Sequence, residues 1–217
     1  KVLGIGLNYK DHAEETGKPV PSEPRFFNKF PTSLIGHNAA IVHPSPALTT
    51  KVDFEAELAV VIGRTVKNVA ESAAMDYVFG YTIMNDVSAR DLQYADGQFV
   101  KGKALDTFGP MGPWILAAES GDGARLDPHD MSVTLRLNGE VMQSGHTSQM
   151  IFSVPKLIAY LSRLMTLEPG DVIMTGTPAG VGVAGNPQRF LQPGDVVEID
   201  ISGIGRLRNE VVAASDS

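Results

Sequence analysis

The chain has 217 residues, 43% of them hydrophobic, with no cysteine and a formal net charge of -7 at pH 7. That length and apolar fraction suit one sizeable core and predict a single domain over 1–217, while no apolar run approaches the roughly 20 residues needed to span a bilayer. The lack of cysteine excludes disulfides, zinc–thiolate sites and thiol nucleophiles and fits a cytoplasmic location, and the negative charge, with no block of Lys and Arg, argues against nucleic acid and anionic membranes as partners.

Lys1 opens within an apolar, strand-like run, which is compatible with a targeting segment or an N-terminal extension upstream. From there, 22 glycines and 14 prolines divide the sequence into short runs rich in Val, Ile, Leu and Thr. The expected fold is mainly β, with strands over 1–6, 39–43, 52–63, 78–86, 113–117, 131–138, 171–175 and 195–201 and a last hairpin through 202–206. Asn138-Gly139 between apolar runs predicts a two-residue hairpin turn. Short helices are expected over 8–16 and 88–95, opening on the cap residues Asn8 and Ser88, and another near 69–77. The clearest helix is 154–165, where Val154, Leu157, Ile158, Leu161, Leu164 and Met165 recur at helical spacing behind the cap Ser153. The polar stretch 119–127 is expected to be a surface connection.

In the 52–63 run, period-two alternation places Val52, Phe54, Ala56, Leu58, Val60 and Ile62 on one face and Asp53, Glu55 and Glu57 on the other. Such a face can simply be solvated. Three adjacent acids with no cation among them repel one another, however, unless a metal or basic partners offset the charge. The run 80–86 ends in Asp86, a position that suits either a turn residue or a ligand. Glu55, Glu57 and Asp86 together would form an all-oxygen site with open positions, better suited to magnesium, manganese or calcium than to zinc or copper.

Four motifs occur in order: Glu55-Ala56-Glu57-Leu58, Asn85-Asp86-Val87-Ser88-Ala89-Arg90-Asp91, Lys103-Ala104-Leu105-Asp106-Thr107-Phe108, and the glycine-containing loop from Thr175 to Gly182. Their order and spacing resemble the fumarylacetoacetate hydrolase family, and the match runs from about Leu3 to Arg208. The resemblance implies a mixed β-sandwich roll with a few short helices, assembled as a homodimer. It also implies Mg2+ or Mn2+, with Ca2+ as a possible substitute, held by Glu55, Glu57 and Asp86. Many members carry an additional N-terminal domain before the position matching Lys1.

His12 and Glu15, three apart on the expected short helix, share a face, and a carboxylate beside an imidazole raises its basicity. A surface pair of this kind is often only structural. In hydrolytic relatives a His-x-x-Glu pair on a mobile lid positions the attacking water, which would make His12 and Glu15 catalytic and 8–30 a lid. Lys103 sits in what the sequence suggests is an irregular stretch, and the family resemblance puts it near the metal as a third catalytic group. Arg90 and Gln93, spaced to face the same side as Asp86, are expected to contact substrate, as are Tyr9, Lys29 and Thr177. The 175–182 loop follows a strand, and its glycines would let backbone N–H groups approach an anion, although it lacks the Gly-Lys-Ser/Thr ending of a nucleotide loop. Gly4-Ile5-Gly6 lacks the third glycine of a dinucleotide fingerprint, and no Gly-x-Ser-x-Gly elbow occurs. His37, His43, His129 and His146 show no metal-like spacing and are expected to be structural.

The expected partner is a small 2-oxo acid. The expected reaction is metal-dependent hydrolysis of the C3–C4 bond of a 2,4-dioxo acid: an acylpyruvate, fumarylpyruvate or, from a similarity in the 97–103 run, a dioxo-deoxy sugar acid. Decarboxylation or isomerisation of an oxo-dicarboxylate is the alternative, since it needs no attacking water.

Overall fold

The computed structural model describes residues 1–119, 121 and 123–214. One seven-stranded sheet has the order β2 (Arg25–Lys29), β1 (Val2–Gly6), β12 (Val172–Met174), β6 (Ala56–Ile62), β7 (Val78–Asn85), β9 (Gly109–Ala117), β3 (Leu34–Ile35). A five-stranded sheet has the order β11 (Glu140–His146), β10 (Ser132–Leu137), β13 (Val196–Ile201), β14 (Gly205–Ala213), β4 (Ile41–His43). A small ladder pairs β5 (Val52–Asp53) with β8 (Ser88–Ala89). The helices are short: α1 (Lys10–Glu15), α2 (Arg90–Tyr94), α3 (Val100–Lys103) and the longer α4 (Val154–Leu164). No helix among the described residues is long and apolar enough to cross a membrane.

One core joins the two sheets: Leu58, Val60 and Ile83 of the larger meet Val133, Leu135, Ile199 and Leu207 of the smaller. Strand β6 lies between β12 and β7 and is buried along its whole length, so its second face at Ala59 and Val61 packs into a smaller cluster with Phe27, Met84 and Met174. The alternation expected for 52–63 holds throughout, with Val52, Phe54, Ala56, Leu58, Val60 and Ile62 all in the main core, but beyond Glu57 the opposite face is apolar and buried as well. The run is also broken, because side chains take the hydrogen bonds a ladder would use. Asn85 Oδ1 accepts from Glu55 N–H at 3.1 Å, and Gln143 Oε1 accepts from Ala56 N–H at 2.9 Å.

The Asn138-Gly139 turn forms as expected, with both residues at positive φ between Leu137 and its partner Glu140. Helix α4 buries Val154, Leu157, Ile158 and Leu161, and Ser153 caps it by accepting from Lys156 N–H. His129 adds a cap that the sequence did not signal, its Nε2 accepting from Val154 N–H at 3.0 Å. The other cap expectations are corrected. Ser88 is a strand residue whose hydroxyl donates to the Asp86 carbonyl, and α2 starts after Ala89. Asn8 is a buried tie: its side chain donates to the carbonyls of Phe152 and Thr175 and accepts from Phe152 N–H. Residues 71–77 form a 3-10 helix. The expected lid, 8–30, contains α1 and then β2, an edge strand paired along its length with β1.

Candidate metal centre

Three structural steps bring the acids together. Glu55 lies in the break between β5 and β6, Glu57 one turn of the pleat further along β6, and Asp86 just past the end of the neighbouring β7. The break is closed by Asp86 N–H donating to the Glu55 carbonyl at 2.9 Å, which fixes the two carboxylates side by side. One carboxylate oxygen from each of Glu55, Glu57 and Asp86 lies within 4.8 Å of the others, and all three residues are buried.

Three buried cations from separate elements meet this cluster. Lys103, at the end of α3, donates to Glu55 Oε2 at 2.8 Å and to Asp86 Oδ2 at 2.7 Å. Lys29, on β2, is 2.7 Å from Asp86 Oδ1 and donates to the carbonyls of Phe108 and Lys103. Arg90, opening α2, reaches Glu55 Oε1 at 2.6 Å and Asp53 Oδ2 at 2.8 Å. Burial alone would raise the Glu55 carboxyl, but Lys103 and Arg90 override it and hold the group below the usual carboxylate range. Burial lowers the Lys103 ammonium less than Asp86 and Glu55 raise it, so it stays charged. For Lys29 burial wins over Asp86, and its ammonium falls below its ordinary value.

Glu57 is different. It makes no ion pair among the described residues, and its hydrogen bond is the one Gly176 N–H donates to Oε2 at 2.7 Å. Burial, then the nearby Asp86 and Glu55, push its carboxyl well above the usual range. A buried carboxylate facing two others without a cation is what a missing positive charge would correct. The hard oxygen donors, each with a lone pair to spare beyond its present hydrogen bond, fit a divalent ion such as Mg2+ or Mn2+.

The loop after β12 does bind anions through its backbone, but the anions belong to the protein. Gly176 N–H holds Glu57, Gly180 N–H holds Glu15 at 2.9 Å, and the N–H groups of Gly182 and Val183 hold the two oxygens of Asp53 at 2.8 and 2.9 Å. Asp53, on the face that the sequence alone would leave solvated, is instead fully buried between Arg90 and this loop. Thr177 lines the cavity beside the acids while its hydroxyl accepts from Gln143 Nε2 at 2.8 Å. Gln143 is a site residue with no sequence signal. It sits in the middle of β11, yet ties Ala56, Thr177 and Pro178 together.

A cavity of about 60 Å³ opens beside Glu55, lined by His12, Glu55, Arg90, Gln93 and Lys103 among others. His12 Nδ1 is 2.6 Å from Glu15 Oε1. An ionised carboxylate can only accept, so Nδ1 carries the proton and Nε2 is left free to act as a base. Gln93 accepts from Arg90 at 3.0 Å, which orients both. Tyr9 and Lys29 are both buried and neither lines this cavity, and Lys29 contacts Asp86 and backbone carbonyls. Burial, then Glu57 and Asp11, holds the Tyr9 hydroxyl protonated, far above its ordinary range. The four remaining histidines serve the fold; His37, for example, accepts from Arg208 N–H.

The family model described as the fumarylacetoacetate hydrolase C-terminal domain matches residues 1–212. The chain belongs to the fumarylacetoacetate hydrolase family. It is 46% identical to a protein of Xenopus laevis named oxaloacetate tautomerase fahd2, mitochondrial, covering 98% of this chain and 65% of that one. Among solved structures, a fumarylacetoacetate hydrolase from Exiguobacterium antarcticum superposes with a TM-score of 0.88 at 44% identity over 98% of this chain and 75% of its own. A 5-carboxymethyl-2-hydroxymuconate delta-isomerase from Mycobacterium smegmatis gives 0.86 at 44% identity over 100% of this chain and 80% of its own. The fold expectation is met, and the chain is an enzyme of a family that includes hydrolases and isomerases.

Proposed function

We propose that the protein is a metal-dependent hydrolase of 2,4-dioxo acids, acylpyruvates being the simplest. The observation that carries this reading is the His12–Glu15 pair, 2.6 Å apart, with His12 on the wall of the same cavity as Glu55 and Lys103. A divalent cation held by Glu55, Glu57 and Asp86 would supply Lewis-acid polarisation of a bound 2-oxo acid. His12 Nε2 takes a proton from water, and Glu15 keeps the imidazole in the productive tautomer and stabilises its charged form. The water oxygen adds at C4 and the C3–C4 bond breaks. Its electron pair stays on the three-carbon fragment, which takes up a proton to become pyruvate, and C4 leaves as a carboxylic acid. Lys103 and Arg90 offset the negative charge that develops on the pyruvate side.

Isomerisation or tautomerisation of an oxo-dicarboxylate is the second reading, supported by the names of the Xenopus and Mycobacterium relatives. It uses the same acids and cations but no water. A panel of acylpyruvates and dioxo sugar acids, assayed for pyruvate release with Mg2+ or Mn2+, tests the first reading, and silence across the panel would sink it. His12→Ala separates the two: hydrolysis should fall about 10²–10⁴-fold, whereas undiminished turnover of an oxo-dicarboxylate favours the second. We also propose a homodimer. Phe79, Trp114 and Ile115, exposed on the neighbouring strands β7 and β9, give it an apolar surface to bury. Light scattering at micromolar concentration should return twice the chain mass.

A further inference from the structure

In the interior of the site, four buried carboxylates, Asp53, Glu55, Glu57 and Asp86, face three buried cations, Lys29, Arg90 and Lys103. Two further cations line the same cavity without an anionic partner. The Arg25 side chain makes no ion pair or hydrogen bond among the described residues, and Lys18 makes no ion pair, its Nζ standing 5.2 Å from the centre of the Tyr94 ring.

Arg25 also belongs to a second, larger cavity of about 420 Å³, which shares Arg25, Phe27 and Phe99 with the first. The two rings, 6.2 Å apart and tilted by 60°, form an apolar wall between them. Opposite Arg25 in the β1–β2 ladder stands Gly6, whose lack of a side chain keeps that end of the cavity open. Arg25, Phe27 and Phe99 thus stand where the small cavity beside Glu55 meets the larger one, with the guanidinium unpaired.

Resting on the 2-oxo acid reading, we propose that Arg25, assisted by Lys18, binds a second carboxylate at the far end of the substrate and so selects 2-oxo dicarboxylates over monocarboxylates of equal length. A guanidinium presents two parallel N–H donors to a carboxylate, and with no intramolecular partner to displace it gains the full benefit of that contact.

Isothermal titration of the Mg2+-loaded protein with 2-oxoadipate and 2-oxohexanoate, which differ only at the distal end, tests this, with oxalate as a probe of the inner site alone. The diacid should bind about tenfold more tightly at low ionic strength, and the gap should narrow as salt is added. Arg25→Gln should bring the two ligands level while leaving oxalate affinity unchanged, which also reports an intact site; Lys18→Gln should close part of the gap. Equal affinities in the unaltered protein, or a preference that survives Arg25→Gln, would overturn the assignment and leave the metal-centred reading standing. If oxalate does not bind, that reading fails and this one with it.

Discussion

Glu55 and Asp86 are buried, and each is held by two cationic side chains, whereas His12 and Glu15 are part-exposed and rely on each other and on a single backbone N–H from Gly180. The interior of the site is a network in which removing one charge strands another, and the rim is a pair whose loss strands nothing. Interior substitutions should therefore register in stability and metal binding, and rim substitutions in rate alone.

The comparison is most severely tested at Lys103. Lys103→Met leaves Glu55 and Asp86 without their shared ammonium, and the metal-free protein should lose about 3–5 kcal/mol in urea unfolding at neutral pH. A loss below 1 kcal/mol would mean that the interior network is not tightly coupled.

Glu57→Gln should act in the opposite direction. The folded-state pKa of Glu57 is raised, so its ionisation opposes folding: the penalty is absent below the unfolded value of about 4.3 and grows as pH rises through the folded value. Without metal, the advantage of Glu57→Gln over the parent should increase between about pH 4 and pH 8 in thermal melts. With metal the order should reverse. Mg2+ or Mn2+ at a hundred times its dissociation constant should stabilise the parent by about 2.7 kcal/mol and leave the variant nearly unmoved. A parent indifferent to both ions would refute the metal centre.

The smallest change in stability is expected at the rim. Glu15→Gln should stay within about 0.5 kcal/mol of the parent yet lower kcat about 10- to 100-fold through loss of the imidazole's orienting partner, with metal affinity unchanged. A matching loss of metal affinity would erase the distinction between the two regions.

The same division explains what was legible in the sequence. Period-two alternation at Val52–Glu57 and the terminal position of Asp86 pointed to the three acids, because strand geometry is local. Helix α4 and the Asn138-Gly139 turn were legible for the same reason. The cations that balance the acids come from β2, α2 and α3, and no period relates Lys29 or Lys103 to Glu55 before the chain folds. Helix α3, with 4 residues, is too short to carry a periodic signal, so Lys103 looked like a loop lysine until the family resemblance placed it. Asn8 and Ser88 looked like caps because short polar side chains near a helix start usually are. Here the tertiary structure claimed their hydrogen bonds first. The glycines of 176–182 predict backbone amides open to an anion, and the fold supplies those anions from within as Glu57, Glu15 and Asp53.

That loop joins the two regions. Its N–H groups hold Glu57 in the acidic cluster, Asp53 behind Arg90, and Glu15 at the rim, all within one short stretch of backbone. At Gly180, φ is +101° and a side chain would run into the Met142 carbonyl, so this stretch has little freedom to adjust one contact without the others. One stiff stretch of backbone therefore serves as a common ruler for the interior and the rim: it sets where Glu57, Asp53 and Glu15 stand, so each carboxylate is placed by the fold and none by the substrate.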